Sequence, residues 1–364
     1  MFVYVGTYTQ PPMGDAEGIL VASFDDASGA LTPVQTVREV ANASFLAVGP
    51  GGRFVCAVRE TDEGEVGAFA RDDGTGELNA LNRQSSHGSG PCYVSFDPSG
   101  RFVLVANYGS GTLAVLPIAA DGHLEPATSV VQHDGSTGQN TERQDGPHAH
   151  MIAPSPDGSF VLATDLGLDQ IIVYRFDTNT GKLTRNDAEG GVALARPGAG
   201  PRHFAFAPDG RTVYVINELD STLTTYAWDA QRGTLTERQS VAALPDDFHG
   251  ENTCAQVVVA PDGRFVYGSN RGHDSIAIWS VDEQSGALTP VGHVPTGGQT
   301  PRNFALDPTG TWLLAANQAS GTVVTFRRDA ASGSLSPTGA VLDIPSPVCI
   351  VFSARGGSGL RAAR

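Results

Sequence analysis

A handful of side chains in this sequence have the types and spacing to do chemistry on a small anion. His148 and His150 stand two residues apart in GPHAH, Arg202 follows a proline in GPRHF, Glu218 lies in INELD and Arg271 in SNRGHD. An imidazole titrates near neutral pH and, beside a carboxylate such as Glu218, can take a proton from water. Guanidinium groups grip a carboxylate or phosphate through forked hydrogen bonds. An HxH pair on one strand face can also ligate zinc, but no third or fourth ligand accompanies His148 and His150, so no metal is expected. No GxSxG elbow, P-loop or GxGxxG between strand and helix occurs. A serine nucleophile and a nucleotide are therefore disfavoured, and no cofactor is expected.

These residues are far apart in the chain, so repeated elements must gather them. The stretch VYGSNRGHDSIAIWSV at 266–281 reads as strand, tight turn, strand. Near-copies stand at 103–118, 161–176, 213–228 and 313–328, a weaker one at 55–70, and one with a lengthened turn at 3–24. A strand ending in a Pro-x-Gly turn recurs six times, as in CYVSFDPSGRF and QVVVAPDGRF. Proline presets that turn and glycine supplies the backbone angle other residues resist. A third element, of the type SGALTP or TGKLTR, recurs seven times and leads into a more polar strand suited to an outer edge. Four short strands repeated at about fifty residues predict an all-β seven-bladed propeller with four-stranded antiparallel blades. The strands at 2–6 and 18–24 lack an inner strand, and a lone inner strand stands at 346–352. The two ends should therefore complete one composite blade and close the ring. The expected propeller domain is 1–353, with the Gly- and Arg-rich 354–364 as a flexible tail.

Inner strands of such a ring line a central channel. The starts of the inner strands and the turns after the second strands should meet at one end of it. The residue after the inner-strand proline is Cys92, His148, Arg202, Arg302 or Val348. Strand alternation puts His150 on the face of His148 and turns His203 and Asn303 away. The turns after the second strands carry Arg59, Asn107, Asp165, Asn217, Asn270 and Asn317. Recurrent Asn or Asp there reads as turn capping. The next residue varies: Glu60, Tyr108, Leu166, Glu218, Arg271, Gln318. A site assembled from different blades would vary in this way, and so would an unconstrained surface turn. Arg59, Arg202, Arg271 and Arg302 together would make a positive spot for a carboxylate or phosphate. The same arginines would serve as ion-pair partners of Glu218 or Asp165, and both readings stay open. The polar insertion at 123–147 is expected to be a rim loop over the channel mouth.

The formal charge of −16 opposes nonspecific nucleic-acid binding, because the phosphate backbone would be repelled. No apolar run is long enough to span a membrane, and the N-terminus begins directly with a strand rather than a leader. The four cysteines form no CxxC pair and are expected as buried free thiols. A cytoplasmic protein is the expectation; the oligomeric state is left open.

MFVYVGTYT, the SGALTP turns, GPHAHMIAPSPDGSFVLATDLGLDQIIVYRF, GPRHFAFAPDGRTVYVINELDSTLTTY and SNRGHDSIAIWSV together resemble the lactonase family of seven-bladed propellers over nearly the whole chain. The resemblance implies metal-independent hydrolysis of a sugar-acid lactone, with 6-phosphogluconolactone foremost and a small anionic lactone or carboxylate as partner. The family also includes carboxymuconate-cyclising enzymes, in which a histidine, two arginines and a glutamate at the channel end are implicated. They map here onto His148 or His150, Arg202, Arg271 and Glu218. The candidate catalytic residues are thus His148, His150, Arg202, Glu218 and Arg271. The candidate substrate-binding residues are Arg59, Tyr108, Asp165, Arg302 and Gln318. A muconolactone-type cyclising enzyme and a non-catalytic binding propeller are the rival expectations.

Overall fold

The computed structural model describes residues 1–38, 40–187 and 190–353; the tail expected at 354–364 lies outside the described residues. Seven antiparallel sheets follow one another along the chain, each with its strands in the order inner, second, third, outer. Six blades occupy 46–85, 91–132, 149–194, 201–242, 253–295 and 301–343. The seventh pairs the inner strand Pro347–Phe352 with Phe2–Thr7, then Ile19–Phe24 and Leu31–Val37. This is the composite closure that the orphan strands at the two ends predicted.

Burial explains the sequence pattern of each blade. Second strands such as Phe102–Asn107, Phe160–Asp165 and Trp312–Asn317 are buried at every position. They are apolar without alternation because neighbouring blades cover both faces. Outer strands such as Leu78–Ser85 and Leu335–Asp343 are largely exposed and carry polar side chains. Seven apolar clusters fill the structure, and each spans one junction between adjacent blades. The cluster of Val3, Val5, Trp312, Leu314 and Ile350 seals the junction at the chain ends. The ring therefore has no open side. All four cysteines are buried free thiols.

Two details depart from the regular plan. The outer strand of the third blade is interrupted, and Lys182–Arg185 and Val192–Leu194 pair with different halves of Gln170–Asp177. The insertion at 123–147 is not all loop. Its Ser129–Gln132 forms the outer strand of the second blade, and only the segment from His133 onward crosses to the channel.

Candidate active site

The inner strands do not enter the channel as regular strands. In four blades the pairing with the second strand skips one residue, at Cys92, His150, Arg202 and Arg302. The closing blade shows the same irregularity at Val348. A bulged residue has no ladder partner and is re-aimed out of the sheet, here into the channel. Pro91, Ala149, Pro201 and Pro301 occupy equivalent positions, opposite Asn107, Asp165, Asn217 and Asn317. The register thus gives His150, not His148, the place of Arg202. Pro147 stands two residues further from its strand than Pro201 does, and alignment by proline misassigned the slot. The bulge also resets the alternation, so His203 and Asn303 do not turn away. They line the channel beside Arg202 and Arg302.

The channel end has three tiers. The outermost is formed by the residues at or just past the ends of the second strands: Glu60, Tyr108, Leu166, Glu218, Arg271 and Gln318. Its seventh member is Tyr8, because Thr7 pairs with Pro347 just as Asn107 pairs with Pro91. The middle tier holds the bulged residues. Below them Phe45 and Tyr93 stack with centroids 4.1 Å apart, and His203 meets both edge-on. This aromatic floor separates the polar end from a second funnel of about 520 Å³, lined by Val48, Phe96, Val258 and Leu306 together with Ser95 and Asp97.

Glu218 is the hub of the polar end. Its Oε2 lies 2.8 Å from Arg202 Nε and 3.0 Å from Arg271 Nη2, and its Oε1 lies 2.6 Å from Arg143 Nη2. The Arg202 contact is a close ion pair without the alignment of a hydrogen bond. The side chains of Glu218 and Arg202 are each 3 % exposed, and that of Arg271 is 12 % exposed. Burial alone would raise the Glu218 pKa. Arg271, Arg202 and Arg143 outweigh burial and hold the carboxyl well below the usual range. Glu218 is therefore a fixed anion whose oxygens are all engaged, and it organises guanidiniums rather than taking protons. The expected ion pairing of Arg202 and Arg271 is thus real, yet it sits inside the channel where a ligand would arrive.

The arginines keep donors in hand. Arg202 Nη1 donates to Ala255 O at 2.5 Å, and Arg271 Nη2 donates to Cys254 O at 2.9 Å. Arg302 Nη2 donates to the Tyr8 hydroxyl at 2.9 Å, and that hydroxyl donates to Glu60 Oε2 at 3.0 Å. Arg202 Nη2, Arg271 Nη1 and Arg302 Nη1 make no hydrogen bond to protein among the described residues. Burial, then Arg271, lowers the Arg202 pKa to about 9, so it remains a cation at neutral pH. Burial works against the Arg302 cation as well, but Tyr8 and Glu60 offset it and its pKa is raised.

The two histidines have different surroundings. His150 is buried in the middle tier, with Nδ1 3.8 Å from Cys92 Sγ. Burial, then Arg202, His203 and Arg302, holds its pKa well below the ordinary value, so its ring is neutral at pH 7. His148 lies outside that tier, flat against Tyr108 with centroids 4.4 Å apart. Its Nδ1 donates to Tyr108 O at 2.9 Å, and its Nε2 is 2.8 Å from Asp145 Oδ1.

Two of the proposed binding residues spend their side chains on neighbouring protein groups. Asp165 is fully buried and accepts from His148 N, Leu168 N and the His133 ring, the last at 2.6 Å. It occupies the slot where Asn107 donates to Ser86 O and Asn270 donates to Ala243 O. The latch is the same with its polarity inverted, and no oxygen is left for substrate. Arg59 takes this slot in the first blade and turns to Glu65 Oε2 at 2.6 Å, away from the channel. Gln318 stands at the mouth with its amide 3.4 Å from Met13 O. Tyr108 and Arg302 do line the polar end.

Arg143 and Asp145 carried no signal in the sequence beyond their place in the polar insertion. Tyr8 was legible in principle as the seventh member of its slot, but the lengthened turn after Phe2–Thr7 hid the equivalence. Among the described residues no group of three or more His, Cys, Asp and Glu is placed to hold a metal ion.

The family model for the lactonase seven-bladed β-propeller matches residues 2–352. The chain is 38 % identical to the 6-phosphogluconolactonase of Bacillus subtilis over 350 residues, covering 96 % of this chain and 97 % of that protein. It is 34 % identical to the 6-phosphogluconolactonase of Formosa agariphila, covering 84 % of this chain and 86 % of that one. The structure of the periplasmic gluconolactonase PpgL of Pseudomonas aeruginosa superposes with a TM-score of 0.90 at 33 % identity, covering 97 % of this chain and 99 % of that one.

Proposed function

Because the chain belongs to the lactonase family of seven-bladed propellers, we propose that it hydrolyses a sugar-acid lactone, 6-phosphogluconolactone to 6-phosphogluconate, without a metal. The observation that carries this reading is the group of Arg143, Arg202, Arg271 and Arg302 around Glu218 and a neutral His150 at one channel end. A protein of net charge −16 that concentrates cations at that end is built to receive an anion.

The lactone carbonyl would face the unshared N–H groups of Arg202 and Arg271. These donors are held in place by Glu218, so they need no reorganisation when negative charge develops on the carbonyl oxygen. Water attacks the carbonyl carbon, His150 takes its proton, and the ring C–O bond breaks. The proton then passes to the departing ring oxygen, leaving a carboxylic acid and a hydroxyl, and the acid releases its remaining water-derived proton to solvent to become the carboxylate. His150 is a weak base because burial, and after it the field of Arg202 and Arg302, disfavours its protonated form. A bound anion offsets that field and raises the basicity of the imidazole when it is needed. The barrier to be removed is modest, since such lactones open slowly unaided.

The test is a coupled assay of 6-phosphogluconolactone hydrolysis, corrected for spontaneous opening. Arg202→Ala removes an oxyanion donor and should lower kcat by about 10²–10³-fold. Equal rates for wild type and variant would remove the lactonase reading from this site.

A further inference from the structure

We propose that Arg143 recognises the phosphoryl group of the substrate and sets a preference for phosphorylated over unphosphorylated lactones; this rests on the lactonase reading above. Arg202 and Arg302 come from inner strands and Arg271 from the end of a second strand. Arg143 comes instead from the segment that crosses from the second blade to the third. Its side chain is 39 % exposed, against 3 % and 12 % for Arg202 and Arg271. Its Nη2 bridges Glu218 Oε1 at 2.6 Å and the Tyr108 hydroxyl at 3.3 Å.

The backbone that presents this side chain is fixed on both sides. Asn140 Oδ1 accepts from the N–H groups of Glu142 and Arg143, each at 3.2 Å. The buried side chain of Gln144 donates to Leu166 O and Asp169 Oδ1, both at 2.8 Å, and accepts from Asn140 N at 2.9 Å. Gly138 N donates to Gly167 O at 2.8 Å. A Cβ at Gly167 would lie 1.8 Å from Gly146 O, so only glycine allows the segment to approach this closely. The result is a long, half-exposed cation on a rigid support at the mouth of the site.

Charge counting says what it is for. The polar end sets four guanidiniums against Glu60 and Glu218, with the exposed Asp145 beside His148 as a third carboxylate at the rim, an excess of one to two positive charges. A lactone ring is itself neutral, so an unphosphorylated sugar lactone offers nothing to balance that excess. A phosphate monoester carries about −1.5 to −2 near pH 7, which matches it. In 6-phosphogluconolactone the phosphoryl group hangs on the exocyclic C6, outside the ring that holds the carbonyl. With the carbonyl on the buried arginines, the phosphoryl group reaches the mouth. There Arg143 exchanges Glu218 Oε1 for phosphoryl oxygens and leaves Oε1 free to accept from a substrate hydroxyl.

The experiment compares wild type, Arg143→Ala and Arg143→Lys on 6-phosphogluconolactone and on gluconolactone. Calorimetric titration with the stable products 6-phosphogluconate and gluconate accompanies it. The expected result is a drop of about 10- to 100-fold in the phosphorylated-to-unphosphorylated ratio of kcat/KM for Arg143→Ala, the scale of one charge-assisted contact. The Kd for 6-phosphogluconate should rise by a similar factor, and Arg143→Lys should recover part of both. An unchanged ratio with an unchanged Kd overturns the assignment, as does failure of wild type to bind 6-phosphogluconate. If wild type opens neither lactone but its affinity for 6-phosphogluconate still depends on Arg143, the hydrolase reading falls and the phosphoryl site stands.

Discussion

Glu218→Gln tests whether the carboxylate is the hub of the polar end. The substitution keeps size and shape but removes the one negative charge that Arg143, Arg202 and Arg271 share at 2.6–3.0 Å. Removing one partner of a buried ion pair costs about 3–5 kcal/mol, because the remaining charges stay buried without compensation. Arg143 is partly exposed and contributes less, since solvent screens it. The whole figure therefore rests on Arg202 and Arg271. With an unfolding entropy of about 2.1 cal/mol/K per residue, a chain of 364 residues should lose about 4–6 °C in Tm. The pH dependence follows from the direction of the Glu218 shift. A carboxyl whose folded pKa is depressed contributes its full stability above its unfolded pKa, about 4.3, and loses it as pH falls toward the folded value. The stability gap between wild type and variant should thus be constant from pH 8 to about 5. Below pH ~4 it should narrow by about 1.4 kcal/mol per pH unit. Denaturant unfolding at a series of pH values measures it. An unchanged Tm, or a gap that stays flat down to pH 3.5, would refute the claim that this carboxylate holds the guanidiniums.

His150→Asn should lower kcat for lactone hydrolysis by about 10²–10⁴-fold, the usual scale of lost acid–base help. His148→Asn, which touches the site through Tyr108 and Asp145, should cost less than tenfold; the reverse order would return the role to His148. Arg59→Ala should leave kcat/KM within about twofold and cost at most about 1 kcal/mol, the worth of its partly exposed pair with Glu65. A large kinetic loss would put Arg59 in contact with substrate after all.

The fold was legible because every blade repeats the same local chemistry. The Pro-x-Gly turn, the SGALTP-type turn and the two-sided apolar second strand each report geometry that one blade shares with the next. Closure by the two termini followed from counting unpaired strands. The site was legible only as slots. Arg202, Glu218 and Arg271 stand where blade equivalence put them. His148 and His150 were not separable, because a bulge has no sequence marker and Pro147 had shifted. Asp165 and Arg59 occupy the right slot with side chains turned to His133 and Glu65, a choice made by the neighbouring strand. Arg143 was out of reach, since its position depends on the turn that Asn140 caps and on contacts of Gln144 with the third blade.

The same geometry explains how one ring can carry different lactone chemistries. The bulged residues have no ladder partner in the second strand, so their side chains are free of the pairing that defines a blade. Cys92, His150, Arg202, Arg302 and Val348 share one backbone setting with five different environments. A substitution there changes the charge and basicity of the channel end without altering a strand register or an inter-blade apolar cluster. The stability cost of change falls instead on hubs such as Glu218, whose oxygens join a turn of the fourth blade to Arg271 in the fifth and Arg143 in the crossing segment. Divergence among propellers of this kind should therefore run through the bulge tier and the crossing segment, while a hub carboxylate, once it binds several blades together, can be lost only with its arginines.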